Sequence, residues 1–212
     1  SILPYFKEKK SLYEDALRVL LTKFEFSETK PQVITITSSV RGEGRTTTAI
    51  ELARVMGQSG KRVVLLDMDM RGSAINHKLH LGDAGMSTIL SGKEVFENVV
   101  HYVAPNTDMV TAGTVPSNPY ELMISERFNE LLAALRTQYD YIILESPPAG
   151  LVADALVLMR ISDLNLIIMK KGYSKKGFLT NLNRFIQEHE LHNVGIVLNG
   201  LELNKIRPWR KK

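Results

Sequence analysis

The 212-residue chain has no cysteine, which excludes a disulfide framework and a thiolate metal site and fits a reducing compartment. It also lacks an uninterrupted apolar run of about 18 residues, the length a membrane-spanning helix needs. The best candidate, Leu151 to Met169, is broken by Asp154, Arg160, Asp163 and Asn165, so no span is expected. A secretory leader is missing on the same reading, because Lys7 to Lys10 run into an amphipathic segment and not an apolar one. The body has little net charge of either sign. Five of the 27 basic residues (Lys205, Arg207, Arg210, Lys211, Lys212) fall in the last eight positions, leaving 22 basic against 23 acidic. The surplus therefore belongs to the tail, and no nucleic-acid-binding face is expected. That tail reads either as a solvated end or as a contact for an anionic membrane surface. Repeats, low-complexity stretches and Pro/Gly-rich linkers are absent too. The expectation is one domain over 1–212, with an N-terminal helix region at 1–30 and a basic tail at 201–212.

Five short runs rich in Val, Ile and Leu stand out: Val33 to Thr37, Val63 to Leu66, Tyr141 to Leu144, Leu164 to Met169 and Val194 to Leu198. They are nearly continuous instead of alternating, as in strands covered on both faces of a parallel sheet. Helical spacing marks Thr47 to Gln58, Pro119 to Arg136 and Phe178 to His189, and a further helix, roughly Ser11 to Phe24, precedes the first strand. Strands alternating with helices predict an α/β fold, a mostly parallel central sheet flanked by helices in three layers.

Chemistry concentrates at the carboxyl ends of the strands, where α/β sheets place their ligands. After the first strand comes Ser39-Val40-Arg41-Gly42-Glu43-Gly44-Arg45-Thr46-Thr47 and then a helix. A glycine-rich loop at a helix N-terminus is a phosphate cradle. Against the P-loop pattern G-x-x-x-x-G-K-[ST], in which the lysine meets the β/γ-phosphates and the hydroxyl meets Mg²⁺, Gly44 and Thr46 fit, Ser39 replaces the first glycine and Arg45 replaces the lysine. The second strand ends in Asp67-Met68-Asp69, two carboxylates able to hold a hydrated Mg²⁺ or take a proton. The third ends in Glu145 before Ser146-Pro147-Pro148. The pairs His77/His80 and His189/His192 have helical spacing but no evident third ligand, and Ser38 and Ser39 have no evident His/Asp partners.

Together these motifs resemble the cytoplasmic ATPase domain of the bacterial tyrosine kinases that partner polysaccharide co-polymerases in capsule and exopolysaccharide assembly. Ile36-Thr37-Ser38 through Thr47 is similar to that family's ITS-x-x-PGEGKST, and Asp67, Asp69 and Arg71 to its D-x-D-x-R. Gly113 through Leu122 is similar to G-x-x-P-x-NP-x-EL. Tyr139-Asp140-Tyr141 leading to Pro147-Pro148, with Val152-Ala153-Asp154-Ala155 after it, is similar to YD-hydrophobic-D-x-PP and V-x-DA. The resemblance implies a P-loop NTPase fold and an ATP/ADP site with Mg²⁺. Gly42, Glu43, Gly44, Arg45, Thr46, Thr47 and Asn199 would hold the nucleotide, Asn199 at the position that reads adenine. Thr46, Asp69 and Glu145 would hold Mg²⁺. Asp67 would activate the incoming tyrosine hydroxyl, with Arg45 and Glu145 beside it in catalysis. It further implies a membrane co-polymerase as partner, in the same or a separate chain, and a place at the inner face of the cell membrane.

The departures from the pattern carry equal information. Arginine is a larger, planar fork than lysine, long enough for Arg45 to lie across the β-phosphate position and pair with Asp67, Asp69 or Glu145. The loop's backbone donors outnumber that obstruction, so nucleotide binding is expected to survive. Glu145 stands in place of an aspartate, and one methylene moves a carboxylate by roughly 1.5 Å, whereas Mg²⁺ is held at about 2.0–2.1 Å with little tolerance. The family's E-x-x-R-x-x-R oligomer motif survives only as Asp15, Arg18 and Leu21, predicting an ion pair between the first two and at most a weak homo-oligomer. Tyrosine is absent after Tyr173, where the family has a cluster. The expected function is a nucleotide-binding kinase-type regulator of polysaccharide assembly with weakened or lost transfer. The alternatives are a non-catalytic adaptor and a partitioning-type ATPase, the last disfavoured by Val40 in place of a further lysine.

Overall fold

The computed structural model describes residues 12–75, 81–150 and 153–201. The first eleven residues, the pair His77/His80, Val152 and the basic tail from 202 onward lie outside these. In chain order the described elements are α1 (Leu12–Glu25), β1 (Val33–Ser38), α2 (Arg45–Gln58), β2 (Val63–Asp67), α3 (Met86–Leu90), α4 (Phe96–Val99), β3 (His101–Ala104) and β4 (Thr107–Val110). There follow α5 (Pro119–Met123), α6 (Glu126–Gln138), β5 (Tyr141–Glu145), α7 (Asp154–Ile161), β6 (Leu164–Lys170), α8 (Lys176–Glu188) and β7 (Val194–Asn199).

The strands form one sheet in the order β3-β4-β2-β5-β1-β6-β7, parallel throughout except for the antiparallel β3–β4 pair at one edge. Each buried strand supplies two cores by alternation. Ile34, Ile36, Val63, Leu65 and Ile143 point toward Leu17, Leu21 and Phe24 of α1 and Leu52 and Met56 of α2. Val33, Val64, Leu66, Ile142 and Leu144 face Phe128, Leu132 and Leu135 of α6 and Leu158 of α7. This is the expected three-layer α/β arrangement.

The five expected strands are all present, but the sheet has seven. β3 and β4 are four residues each, turned by Pro105 and by Asn106 at φ 54, too short and mixed to register as apolar runs. The single helix expected over Pro119 to Arg136 is two. Ser125 ends the first by donating to the Leu122 carbonyl at 2.7 Å and caps the second by accepting from Phe128 N–H at 3.3 Å, the N-cap chemistry of serine.

The expected Asp15–Arg18 pair is replaced by a different one. Arg18 donates to Glu14 at 2.8 Å while Asp15 is exposed. Glu14 is also reached by Arg54 of α2 at 3.2 Å, a side chain only 1% exposed. Helical spacing explains the switch: Glu14, Leu17, Leu21 and Phe24 share the face that packs inward, so Glu14 and not Asp15 meets α2.

Candidate functional site

β5 lies between β1 and β2, and in the ladder Glu145 is the register partner of both Ile36 and Asp67. The carboxyl ends of these three strands therefore meet beneath the loop that runs from β1 into α2. That loop is built around Glu43, which is fully buried. Its carboxylate accepts the Ser39 and Val40 N–H groups at 2.7 and 3.0 Å and the Ser39 hydroxyl at 2.6 Å, and the Ser174 hydroxyl also donates to it. Gly42 and Gly44 have φ of 89 and 98, a region open to glycine at no steric cost. A Cβ on Gly44 would also lie 2.1 Å from the Asn199 amide nitrogen, which donates to the Glu43 carbonyl at 3.0 Å.

Over the loop opens a cleft of about 480 Å³, inside the range of small-ligand sites. It unites Gly42, Gly44, Arg45, Thr46, Thr47, Asp69 and Asn199 from the expected set, and adds Arg41 and Lys170. Lys170 ends β6, beside β1, so the strand-end rule could have found it; nothing in the pattern marked Arg41 as a lining residue. Glu43, Asp67 and Glu145 do not line the cleft and are fully buried. Asp15 and Arg18 stand away from it on α1.

The floor is an ion network. Arg45 Nε donates to Glu145 Oε1 at 2.6 Å and Nη2 to Asp69 Oδ2 at 2.8 Å. The Thr46 hydroxyl donates to the same Glu145 oxygen at 2.6 Å. Asp67 accepts from the Ser73 hydroxyl and from the Asp69 N–H at 3.1 Å. Of the carboxylates considered from the sequence, Arg45 thus takes Glu145 and Asp69 and leaves Asp67. Burial pushes the Asp67 carboxyl well above its ordinary range, and the neighbouring Glu145 charge adds to it. Burial also raises Glu145, against the pull of Arg45 and Thr46. On Arg45, burial opposes the charge, but the two carboxylates outweigh it and hold the guanidinium protonated.

A second pairing joins two motifs that the sequence showed only separately. Arg71 donates through Nε and Nη2 to Asp154 at 2.6 and 3.2 Å, a two-pronged contact fixing the end of β2 to the start of α7.

Residues 31–196 match the AAA domain family. The chain is 32% identical over 202 residues to the tyrosine-protein kinase YwqD of Bacillus subtilis, spanning 93% of this chain and 85% of that one. It belongs to the bacterial tyrosine-protein kinases. The kinase domain of the Escherichia coli tyrosine kinase Etk is similar over 94% of this chain and 80% of that one, with a TM-score of 0.82 at 28% identity. The MinD cell division protein of Aquifex aeolicus, at 20% identity and a TM-score of 0.65 over 82% of this chain and 71% of that one, shares the fold alone.

The positive φ of Gly42 and Gly44 and the loop's position at the N-terminus of α2 are the geometry of a glycine-rich anion-binding loop. The expected Mg²⁺ set does not fit in the same way. Thr46, Asp69 and Glu145 are bonded to one another or to Arg45, and among the described residues no group of three or more His, Cys, Asp or Glu is placed to hold a metal ion. Two unit charges about 4 Å apart interact by roughly 4 kcal/mol at an effective dielectric of 20, and a dication doubles that. A divalent ion drawn to these oxygens would meet a repulsion of that order from the guanidinium, which offsets part of its attraction to the two carboxylates. The physical reason for the disagreement is the lysine-to-arginine exchange: an extended planar fork spans from Glu145 to Asp69 through separate nitrogens, where a lysine ammonium is a compact point charge.

Proposed function

We propose that this domain is a nucleotide-binding, kinase-type regulator of capsule or exopolysaccharide assembly in which phosphoryl transfer is strongly reduced. It would work at the inner face of the cell membrane beside a membrane co-polymerase, in the same chain or a separate one. The observation that carries the reading is the Arg45 bridge to Asp69 and Glu145. The cradle for phosphate is kept, while the groups that would act on the transferring phosphoryl are tied to one another. Family membership supports the kinase-type ancestry and the polysaccharide context. No helix among the described residues is long and apolar enough to cross a membrane, so a membrane role would run through a partner or through sequence outside them. The α1 geometry supports a monomeric domain or at most a weak oligomer: Leu21, at the place of the second motif arginine, is buried in the core, and Arg18 is held by Glu14.

Transfer of labelled phosphate from ATP to a tyrosine-bearing partner tests the reading. Losing one transition-state donor typically costs about 10²–10³ in rate. The Arg45→Lys plus Glu145→Asp double variant is therefore expected to transfer at least about 100-fold faster than the unaltered protein. Equal rates would overturn the claim of reduced transfer.

A further inference from the structure

The cleft over the phosphate loop supplies its own counter-charge. Arg41, Arg45 and Lys170 line it against a single acid, Asp69, and Asp69 already accepts from Arg45. The Arg45 side chain is 8% exposed, and its Nη1 is buried without an acceptor. Asp69 Oδ1 and Glu145 Oε2 are likewise buried without donors. The guanidinium thus sits between the two strand-end acids with its Nη1 nitrogen unpaired, on the floor of a site whose loop and helix end favour an anion.

We propose that this site takes a nucleoside di- or triphosphate as the metal-free anion, with Arg45 occupying the place that Mg²⁺ takes in other P-loops. The proposal rests on the nucleotide reading above and adds the form in which the nucleotide enters. Two observations support it. One oxygen of each acid that would ligate a divalent ion is held by a cation that does not lose its proton in proteins. In addition, a metal-complexed nucleotide would bring less negative charge into a cleft already rich in fixed cations, whereas the free polyphosphate matches it.

Calorimetric titration of the full chain with ADP decides the matter, once in excess Mg²⁺ and once in excess EDTA, with Arg45→Lys measured alongside. The unaltered chain is expected to bind ADP at least about tenfold more weakly in excess Mg²⁺, which withdraws the free anion, than in EDTA, and Arg45→Lys to bind at least about tenfold more tightly with Mg²⁺. With Mn²⁺ as the probe, the resonance spectrum of the ion with ADP should be unchanged by the unaltered protein and broadened by the variant. Equal affinity in the two conditions, or a gain of about tenfold from Mg²⁺, in the unaltered chain would overturn the proposal. So would binding seen only in Arg45→Lys, which would mean that the arginine shuts the site while the nucleotide reading of the fold stands. Absence of ADP binding in every arm would instead remove the nucleotide reading and the proposal with it. The Mg²⁺/EDTA comparison on the unaltered chain decides even if the variant fails to fold.

Discussion

The Glu43 carboxylate gathers the Ser39 and Val40 N–H groups and the hydroxyls of Ser39 and Ser174 onto one buried side chain. Each buried donor left without an acceptor costs about 1–3 kcal/mol. Glu43→Ala should therefore lower the unfolding free energy by roughly 2–4 kcal/mol, since water reaching the vacated space would restore part of the loss. Glu43→Gln keeps one acceptor oxygen, and its amide can donate to a hydroxyl, so about 1 kcal/mol is expected there. Urea denaturation of the two variants checks the order; an alanine variant as stable as the glutamine variant would refute it. At this scale the sequence was informative about which residues are unusual. Arg45 and Glu145 differ from the family pattern in plain letters. Which acid Arg45 takes was not legible, because Asp67, Asp69 and Glu145 are all strand-end carboxylates and only the side-chain path separates them. Glu43 was expected to be a nucleotide residue; the structure turns its carboxylate onto the loop's own base, a choice made by burial and not by residue type.

Among the elements, α1 and α2 are joined by a polar contact that no apolar periodicity reveals. Arg54, 1% exposed, donates to Glu14 at 3.2 Å and to Glu51 at 2.9 Å, and keeps Nη1 unpaired. The two ends of this contact differ in what they leave behind. Glu14→Leu would strand a buried guanidinium with Glu51 alone, and about 2–3 kcal/mol should be lost. Arg54→Met would leave Glu14 on Arg18 and Glu51, which is 21% exposed, in reach of water, so a change within about 1 kcal/mol is expected. Measuring both by denaturant unfolding tests the asymmetry, and the reverse order would show that the pair does not act as described. Continuous apolar runs made β1, β2, β5, β6 and β7 legible. The first four are mostly covered, as expected, whereas β7 is an edge strand with no buried residue and was legible by its Val, Ile and Leu content alone. β3 and β4 escaped because the edge of a sheet needs only four residues a side, and the Pro119–Arg136 stretch was read as one helix because Ser125 interrupts the chain without interrupting its hydrophobic spacing.

For the whole molecule, strand order is what sequence could not supply, and it is strand order that brings Asp67 and Glu145 side by side through the insertion of β5 between β1 and β2. The same order closes the opposite end of the sheet with Asp163, just before β6. It accepts the Gln32 and Val33 N–H groups at 3.0 and 2.7 Å, and Arg136 from the end of α6 grips it through Nη1 and Nη2, both at 3.1 Å. Burial pushes this carboxyl up, but Arg136 and the two N–H groups outweigh it and hold it below the ordinary range. With the folded value below the unfolded value of about 3.9, the contribution is fully present above the unfolded value and is lost as pH falls through the folded one. The Asp163 side chain is 34% exposed, so after solvent screening about 1 kcal/mol is a fair magnitude. Asp163→Asn should accordingly be less stable than the unaltered chain by about 1 kcal/mol at neutral pH. The gap should narrow from about pH 5 downward, as the native carboxylate takes up its proton and loses the advantage of charge. Unfolding free energies in urea at a series of pH values, taken down to the lowest at which both proteins fold, measure that gap. If it stays constant with pH, the ionised carboxylate is not what ties β1, α6 and β6 together at this end of the sheet.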